Sequence, residues 1–196
     1  MARIASHFAT QVYRAELDAG ANARLLKVCR AIAAEDRAGQ RWCKAHGYRG
    51  YTSYASLDDL PRRAPEFDDL RTVIDGHVRA FARAQQWRRT RLTLDSLWIN
   101  LLAPGGVHGA HIHPHAAVSG TYYVSVPKGA SAIRFEDPRL GLMMAAPAKK
   151  ESARDKPFVS VAPKAGTLLL WESWLRHDVP LNDARRPRVS VSFNYS

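Results

Sequence analysis

The chain has 196 residues, a formal net charge of +11 and a hydrophobic fraction of 46%, values that fit one globular domain, or at most a core with a helical extension, and exclude disordered and fibrous classes. The charge comes from 22 Arg and 7 Lys against 18 acidic residues; a GC-rich genome produces such an excess without any nucleic-acid partner, so charge alone assigns no function. Residues 1–10 lack a charged stretch followed by a long apolar core, and no later apolar run approaches the ~18 residues of a membrane span. A soluble cytoplasmic protein with no membrane partner is expected. Cys29 and Cys43 are too few for a disulfide framework and stand apart from the histidines discussed below, so they read as reduced structural thiols.

Over residues 15–38, Leu25, Leu26, Val28, Cys29 and Ile32 recur at helical spacing, and Gly39 stands where that first helix stops. Residues 47–54 are rich in Tyr and Gly and read as loop or short strand. A second, amphipathic helix follows, with Phe67, Leu70, Val73, Ile74, Val78, Phe81 and Ala82 on one face. Beyond Arg88, Arg89 and Arg91 the hydrophobic period changes from 3.6 to 2, dividing a helical portion, residues 1–88, from a β portion, residues 89–196. Residues 142–157 are rich in Ala, Pro and Lys and read as a long loop.

Strands of the β portion carry one apolar face and one polar or aromatic face, as suits a barrel with a working interior. Ser96, Trp98 and Asn100 alternate with Leu97, Ile99 and Leu101; Ser119, Thr121, Tyr123 and Ser125 with Tyr122, Val124 and Val126; Arg188, Ser190, Ser192 and Asn194 with Val189, Val191 and Phe193. Short strands separated by Gly and Pro turns predict a jelly roll, mainly β, with the two N-terminal helices covering its apolar faces.

Four of the 8 histidines, His108, His111, His113 and His115, fall in one short segment after a glycine turn. Alternate positions of an extended segment project to one side, so His111 and His113 can present ring nitrogens to a single metal ion. The natural third ligand is His177, which follows an apolar strand. Arg188 comes eleven residues later, with Ser190 on the same strand face. His108 and His115 read equally as contacts around the site or as solvated loop residues, whereas His7, His46 and His77 read as structural or surface residues.

A His-x-Asp pair, a distant His and an Arg about ten residues further mark iron(II)- and 2-oxoglutarate-dependent dioxygenases, and this order resembles that signature. The motifs His111-Ile112-His113-Pro114, Ser119-Gly120-Thr121-Tyr122-Tyr123-Val124, Phe135-Glu136-Asp137-Pro138-Arg139, Trp174-Leu175-Arg176-His177 and the run from Arg188 to Asn194 are similar to a bacterial family of 2-oxoglutarate/iron(II) oxygenases. The likeness extends from about Gly47 to Tyr195, and the spacing of Gly105 to His111 matches relatives that carry a Gly before the first metal histidine. It implies a double-stranded β-helix, cupin-like in shape, with iron(II) held by His111, His113 and His177. It also implies 2-oxoglutarate anchored by Arg188 and Ser190, with Tyr123 and Asn100 completing the pocket. Turnover would oxidise, by hydroxylation, a small molecule or a residue on a macromolecule, converting 2-oxoglutarate to succinate.

One departure bears on the metal. The usual Asp is His113 here, which makes the site more positive by one charge. Three neutral imidazoles can serve as ligands, or the position can stand open for a halide or water. A third arrangement brings in Glu136 or Asp137, although Asp137-Pro138-Arg139 reads better as a turn with its own ion pair. Two other functions compete with the oxygenase: a cupin-like metalloprotein or dioxygenase without 2-oxoglutarate, which has no use for Arg188, and a nucleic-acid module built on Arg88, Arg89, Arg91, Arg185 and Arg186. A homodimer is compatible with all three.

Overall fold

The structure is a computed structural model that describes residues 2–5, 7–57, 59–145, 147–150, 152 and 156–196. Strand β1 (Val12–Glu16) and a single 3-10 turn (Ala19–Ala21) lead into helices α1 (Asn22–Glu35) and α2 (Arg37–Ala45). Strand β2 (Gly50–Thr52), the short helix α3 (Leu60–Arg63) and the long helix α4 (Pro65–Ala84) follow. The remaining strands are β3 (Leu94–Leu102), β4 (His108–His111), β5 (Val118–Ser125), β6 (Ile133–Glu136), β7 (Phe158–Val161), β8 (Thr167–Glu172), β9 (His177–Val179) and β10 (Arg188–Tyr195), with the four-residue helix α5 (Leu142–Ala145) between β6 and β7.

The strands form a six-stranded sheet, in the order β1-β8-β5-β10-β3-β2, facing a four-stranded sheet, β4-β9-β6-β7. Neighbouring strands are antiparallel throughout. This is the expected jelly roll with helices on its larger sheet. Alternation along β10 explains the layering: Val189, Val191, Phe193 and Tyr195 are buried with α1 and α4 on one face of the sheet, while Arg188, Ser190 and Ser192 line the space between the sheets. Helix α4 answers with Phe67, Leu70, Ile74, Val78 and Phe81, all buried. Each such side chain gains about 1.5–3 kcal/mol on leaving water. Its start is set by Pro65 and by Glu66 and Asp68 in the first turn, where acids suit the helix dipole.

The first helix is shorter than its sequence predicts. Residues 12–16 instead form an edge strand, Val12 opposite Trp171 and Glu16 opposite Thr167, with Tyr13 and Ala15 packed on the helical layer. The helix then begins only at Asn22 and breaks at Asp36, whose side chain accepts a hydrogen bond from Gly39 N at 2.9 Å and starts α2. Gly39 therefore lies inside a helix rather than beyond one. A Cβ there would collide with Ser56 Oγ and the Tyr51 ring. The portion before residue 88 thus supplies two edge strands, β1 and β2, as well as helices. The loop expected over 142–157 lies partly outside the described residues, and its start is helix α5.

Two basic clusters that the sequence offered as one nucleic-acid surface lie at opposite ends of the β3–β10 ladder. Thr93 pairs with Ser196 at one end, Leu102 with Arg188 at the other, a separation of about 26–30 Å at roughly 3.3 Å per residue. Arg88, Arg89 and Arg91 belong to the first end and Arg185 and Arg186 to the second, so they do not form one patch.

Candidate metal centre and anion pocket

Strands β4 and β9 pair with His111 directly opposite His177, and the backbone N–H of His113 donates to Ser173 O at 3.0 Å just beyond the end of β4. This register gathers one ring nitrogen from each of His111, His113 and His177 within 4.8 Å of one another. Two of the rings are oriented by the backbone. His111 Nδ1 lies 2.7 Å from Gly109 O, and His177 Nδ1 lies 2.8 Å from Leu175 O. A carbonyl accepts only, so each Nδ1 carries the proton and each Nε2 is left with a free lone pair. His113 Nε2 is 3.4 Å from His177 Nε2, and the two rings stack at 5.2 Å with planes 14° apart. Such close approach of two neutral nitrogens suits a shared cation.

His177 is buried and His111 and His113 are half-buried among aromatic rings. Trp171 stands edge-on to His177 at 4.7 Å, and Trp98 lies 5.9 Å from His113. Burial pushes His113 down to about 3 and His177 to about 4, so both imidazoles are neutral ligands at physiological pH. Neither nearby carboxylate joins them. Asp137 is paired with Arg139 at 2.6 Å, as its turn-like sequence suggested, and Glu136 with Arg176 at 2.9 Å.

The three histidines open on a cavity of about 540 Å³ whose far wall carries Arg188, Ser190 and Tyr123. Arg188 is 3% exposed. Its Nη1 donates to Ser131 O at 2.8 Å, its guanidinium lies 5.5 Å from the Tyr123 ring centroid, and its Nε has no partner. Among the described residues no carboxylate pairs with it. A guanidinium buried without a counter-charge costs several kcal/mol unless an anion completes it, so the chemistry of this wall suits an anion. Ser190 is buried beside it. Asn100 also lines the cavity, but its amide is held by Thr52 Oγ1 at 2.8 Å and Ser192 Oγ at 3.1 Å, so it stiffens the wall.

The remaining histidines divide. His108 lies in the cavity, its Nε2 2.8 Å from the hydroxyl of Tyr48. Nothing in the sequence singled out Tyr48, which lies 60 positions away. His115 is exposed with a positive φ of 70° and lines a neighbouring hollow with Trp174. His77 bonds Tyr13, and His46 stacks on Trp42 at 4.2 Å, both structural roles. Cys29 and Cys43 are free and buried.

A family model described as "Putative 2OG-Fe(II) oxygenase" matches residues 96–194. Among solved structures, the α-ketoglutarate-dependent epimerase SnoN of nogalamycin biosynthesis is similar at TM-score 0.61 and 19% identity, over 95% of this chain and 76% of that one. SnoN has also been solved with Fe3+, α-ketoglutarate and nogalamycin RO. A Pseudomonas putida prolyl-4-hydroxylase is similar at TM-score 0.54 and 18% identity, over 95% and 88%. At 18% identity and TM-score 0.47, the chain spans about half the length (51%) of a 2OG-Fe(II) oxygenase from Burkholderia pseudomallei, which covers 61% of it. At these identities the neighbours speak to the fold, a double-stranded β-helix. Among curated proteins none matches the sequence.

Proposed function

Because this chain belongs to the 2OG-Fe(II) oxygenase family, whose cofactors are iron(II) and 2-oxoglutarate, we propose that His111, His113 and His177 hold the iron while Arg188 and Ser190 hold the far carboxylate of the keto acid. The observation that carries this reading is the buried Arg188, unmatched by any acid among the described residues and lining the same cavity as the three convergent imidazoles. Bound together, iron and keto acid supply oxidation of a substrate coupled to decarboxylation of 2-oxoglutarate to succinate.

The chain's own part is binding, orientation and exclusion of water. Three protein ligands would hold the metal while leaving room for the chelating keto acid. His111 and His177 are turned correctly by the carbonyls of Gly109 and Leu175 before any metal arrives. With His113 in place of the usual carboxylate, no protein ligand would offset the two charges of iron(II), and Arg188 adds a third; the dianionic keto acid would offset two of the three. Tyr123 forms a wall against the guanidinium face, and Trp98 and Trp171 keep the imidazoles from bulk water.

The substrate is a small molecule or a residue of a peptide or protein, oxidised by hydroxylation, and the free thiols of Cys29 and Cys43 suit a reducing cytoplasm. Residues 1–88 and 89–196 act as one structural unit. The test is anaerobic loading with iron(II), followed by oxygen and a substrate screen read by succinate release. One iron per chain and substrate-stimulated succinate support the assignment. One iron without any use of 2-oxoglutarate would favour the cupin-like alternative.

A further inference from the structure

Arg188 does not stand alone at its end of the cavity. Tyr48, in the turn before β2, and His108, the first residue of β4, line the same wall. The Tyr48 hydroxyl and His108 Nε2 are 2.8 Å apart, with the rings edge to face at 78°. The positive charge of Arg188 acts on both side chains, opposing protonation of His108 and favouring ionisation of Tyr48.

The hydrogen bond between them fixes where the His108 proton sits. The Tyr48 hydroxyl has no acceptor other than His108 among the described residues, and burial raises its pKa, so it stays a phenol and donates. Nε2 is then the acceptor, and the ring proton is on Nδ1. Among the described residues that nitrogen has no protein partner, and His108 lines the cavity. His108 is thus a neutral donor beside a buried cation that has no anion. It can lengthen the anion's set of hydrogen bonds without adding charge to a wall that is already positive.

We infer that His108, with its proton placed by Tyr48, is a second donor to the distal carboxylate of the keto acid that Arg188 grips, and that the pair sets the preference for a keto acid with that carboxylate. The inference rests on the oxygenase reading above. His108 touches the cosubstrate; Tyr48 acts through His108 and is a positioning residue. His111, three positions on, would hold the iron that the keto end chelates, so β4 would carry a metal ligand and a donor to the distal carboxylate.

The test compares 2-oxoglutarate with 2-oxobutyrate, which keeps the chelating keto acid and lacks the distal carboxylate. Each is titrated anaerobically into the iron(II) protein, following the metal-to-ligand absorption band of the chelate. A hydrogen bond to a charged group is worth a factor of about 10 or more. His108→Phe, which keeps a ring without nitrogens, is therefore expected to lower the affinity ratio of 2-oxoglutarate to 2-oxobutyrate about 10-fold while iron stoichiometry and 2-oxobutyrate affinity stay unchanged. His108→Asn puts an amide N–H near the place of Nδ1–H and should restore most of the ratio; Tyr48→Phe should fall between. An unchanged ratio in His108→Phe, or equal loss for both keto acids, overturns the inference. Arg188→Met separates the two levels. If it removes the ratio while His108→Phe does not, only the role of His108 falls; if the wild-type protein shows no preference for 2-oxoglutarate, the oxygenase reading and this inference fall together.

Discussion

At the scale of single residues, the proposed metal site is an arrangement of protons as much as of rings. His111 and His177 each spend Nδ1 on a carbonyl and offer Nε2, and losing either removes an oriented ligand rather than a loosely placed one. His177→Ala should abolish stoichiometric iron(II) binding, measured as metal retained per chain after anaerobic desalting, with the fold intact by circular dichroism. His113→Asp should keep one iron per chain, because a carboxylate at that position can ligate equally. An Asp variant that loses iron would show that the protein uses the imidazole for something a carboxylate cannot do.

The same histidines tie stability to pH. His108 and His113 are pushed down to about 3 and His177 to about 4, chiefly by burial, whereas in the unfolded chain each titrates near 6.5. Folded-state values below the unfolded value mean that the unfolded chain binds protons first, so stability is complete above about pH 6.5 and falls as the solution is acidified. Between pH 7 and 5 each such histidine costs about 2 kcal/mol. The urea midpoint of the metal-free protein should therefore drop over that window, and His108→Phe should flatten the drop. A midpoint that holds steady from pH 7 to 5 would show that these rings are protonated in the fold.

At the scale of elements, the alternation of strands β3, β5 and β10 was legible in the sequence because each has one face on a helical layer and one on a polar cavity, so period 2 is uninterrupted. The placement of His111, His113, His177 and Arg188 around one cavity was legible for the same reason, since side-chain parity assigns the face. What escaped depends on pairing. Val12–Glu16 is a five-residue edge strand that gains its hydrogen bonds from β8, more than 150 positions away, and nothing local opposes reading it into the following helix. Gly39 reads locally as a stop, yet it is needed where α2 passes Ser56 and Tyr51 too closely for a side chain. The Tyr48–His108 contact joins the turn before β2 to the first residue of β4, a pairing that no local pattern announces.

Helix α4 and strand β10 bury their apolar side chains in one cluster, so the fit of the helical layer on the sheet is a testable part of the fold. Phe193 is fully buried on β10 among the helix residues. Phe193→Ala should cost about 3–5 kcal/mol by denaturant unfolding, the range for deleting a buried aromatic ring. A loss under 1 kcal/mol would mean that the sheet and helix layers are not packed as described. Gly50, at φ 128° and hard against the backbone of Leu101 and Ala103, holds β2 to β3 in a conformation open to glycine alone; Gly50→Ala should loosen the Tyr48 turn and lower the same unfolding midpoint.

At the scale of the whole molecule, the +11 charge is distributed rather than gathered. The arginines after α4 and those before β10 face opposite ends of the larger sheet, and several others are neutralised locally, such as Arg134 by Asp178 and Arg71 by Asp68 and Asp75. The cation that stands out is Arg188, because it is buried, lacks an acid partner among the described residues and shares its cavity with three histidines. Among the described residues no helix is long and apolar enough to cross a membrane.

Those features converge on one measurement, the absorption band that forms when 2-oxoglutarate chelates iron(II) in the absence of oxygen, titrated in wild-type protein and in Arg188→Met. The wild-type protein should give a saturating band at one iron per chain. Arg188→Met, which keeps bulk and removes the charge, should bind iron equally well but require roughly 30-fold or more keto acid to reach half saturation, since losing a buried charge pair costs about 2–5 kcal/mol. No band in the wild-type protein, or the same midpoint in both, would contradict the assignment of this cavity to iron and 2-oxoglutarate.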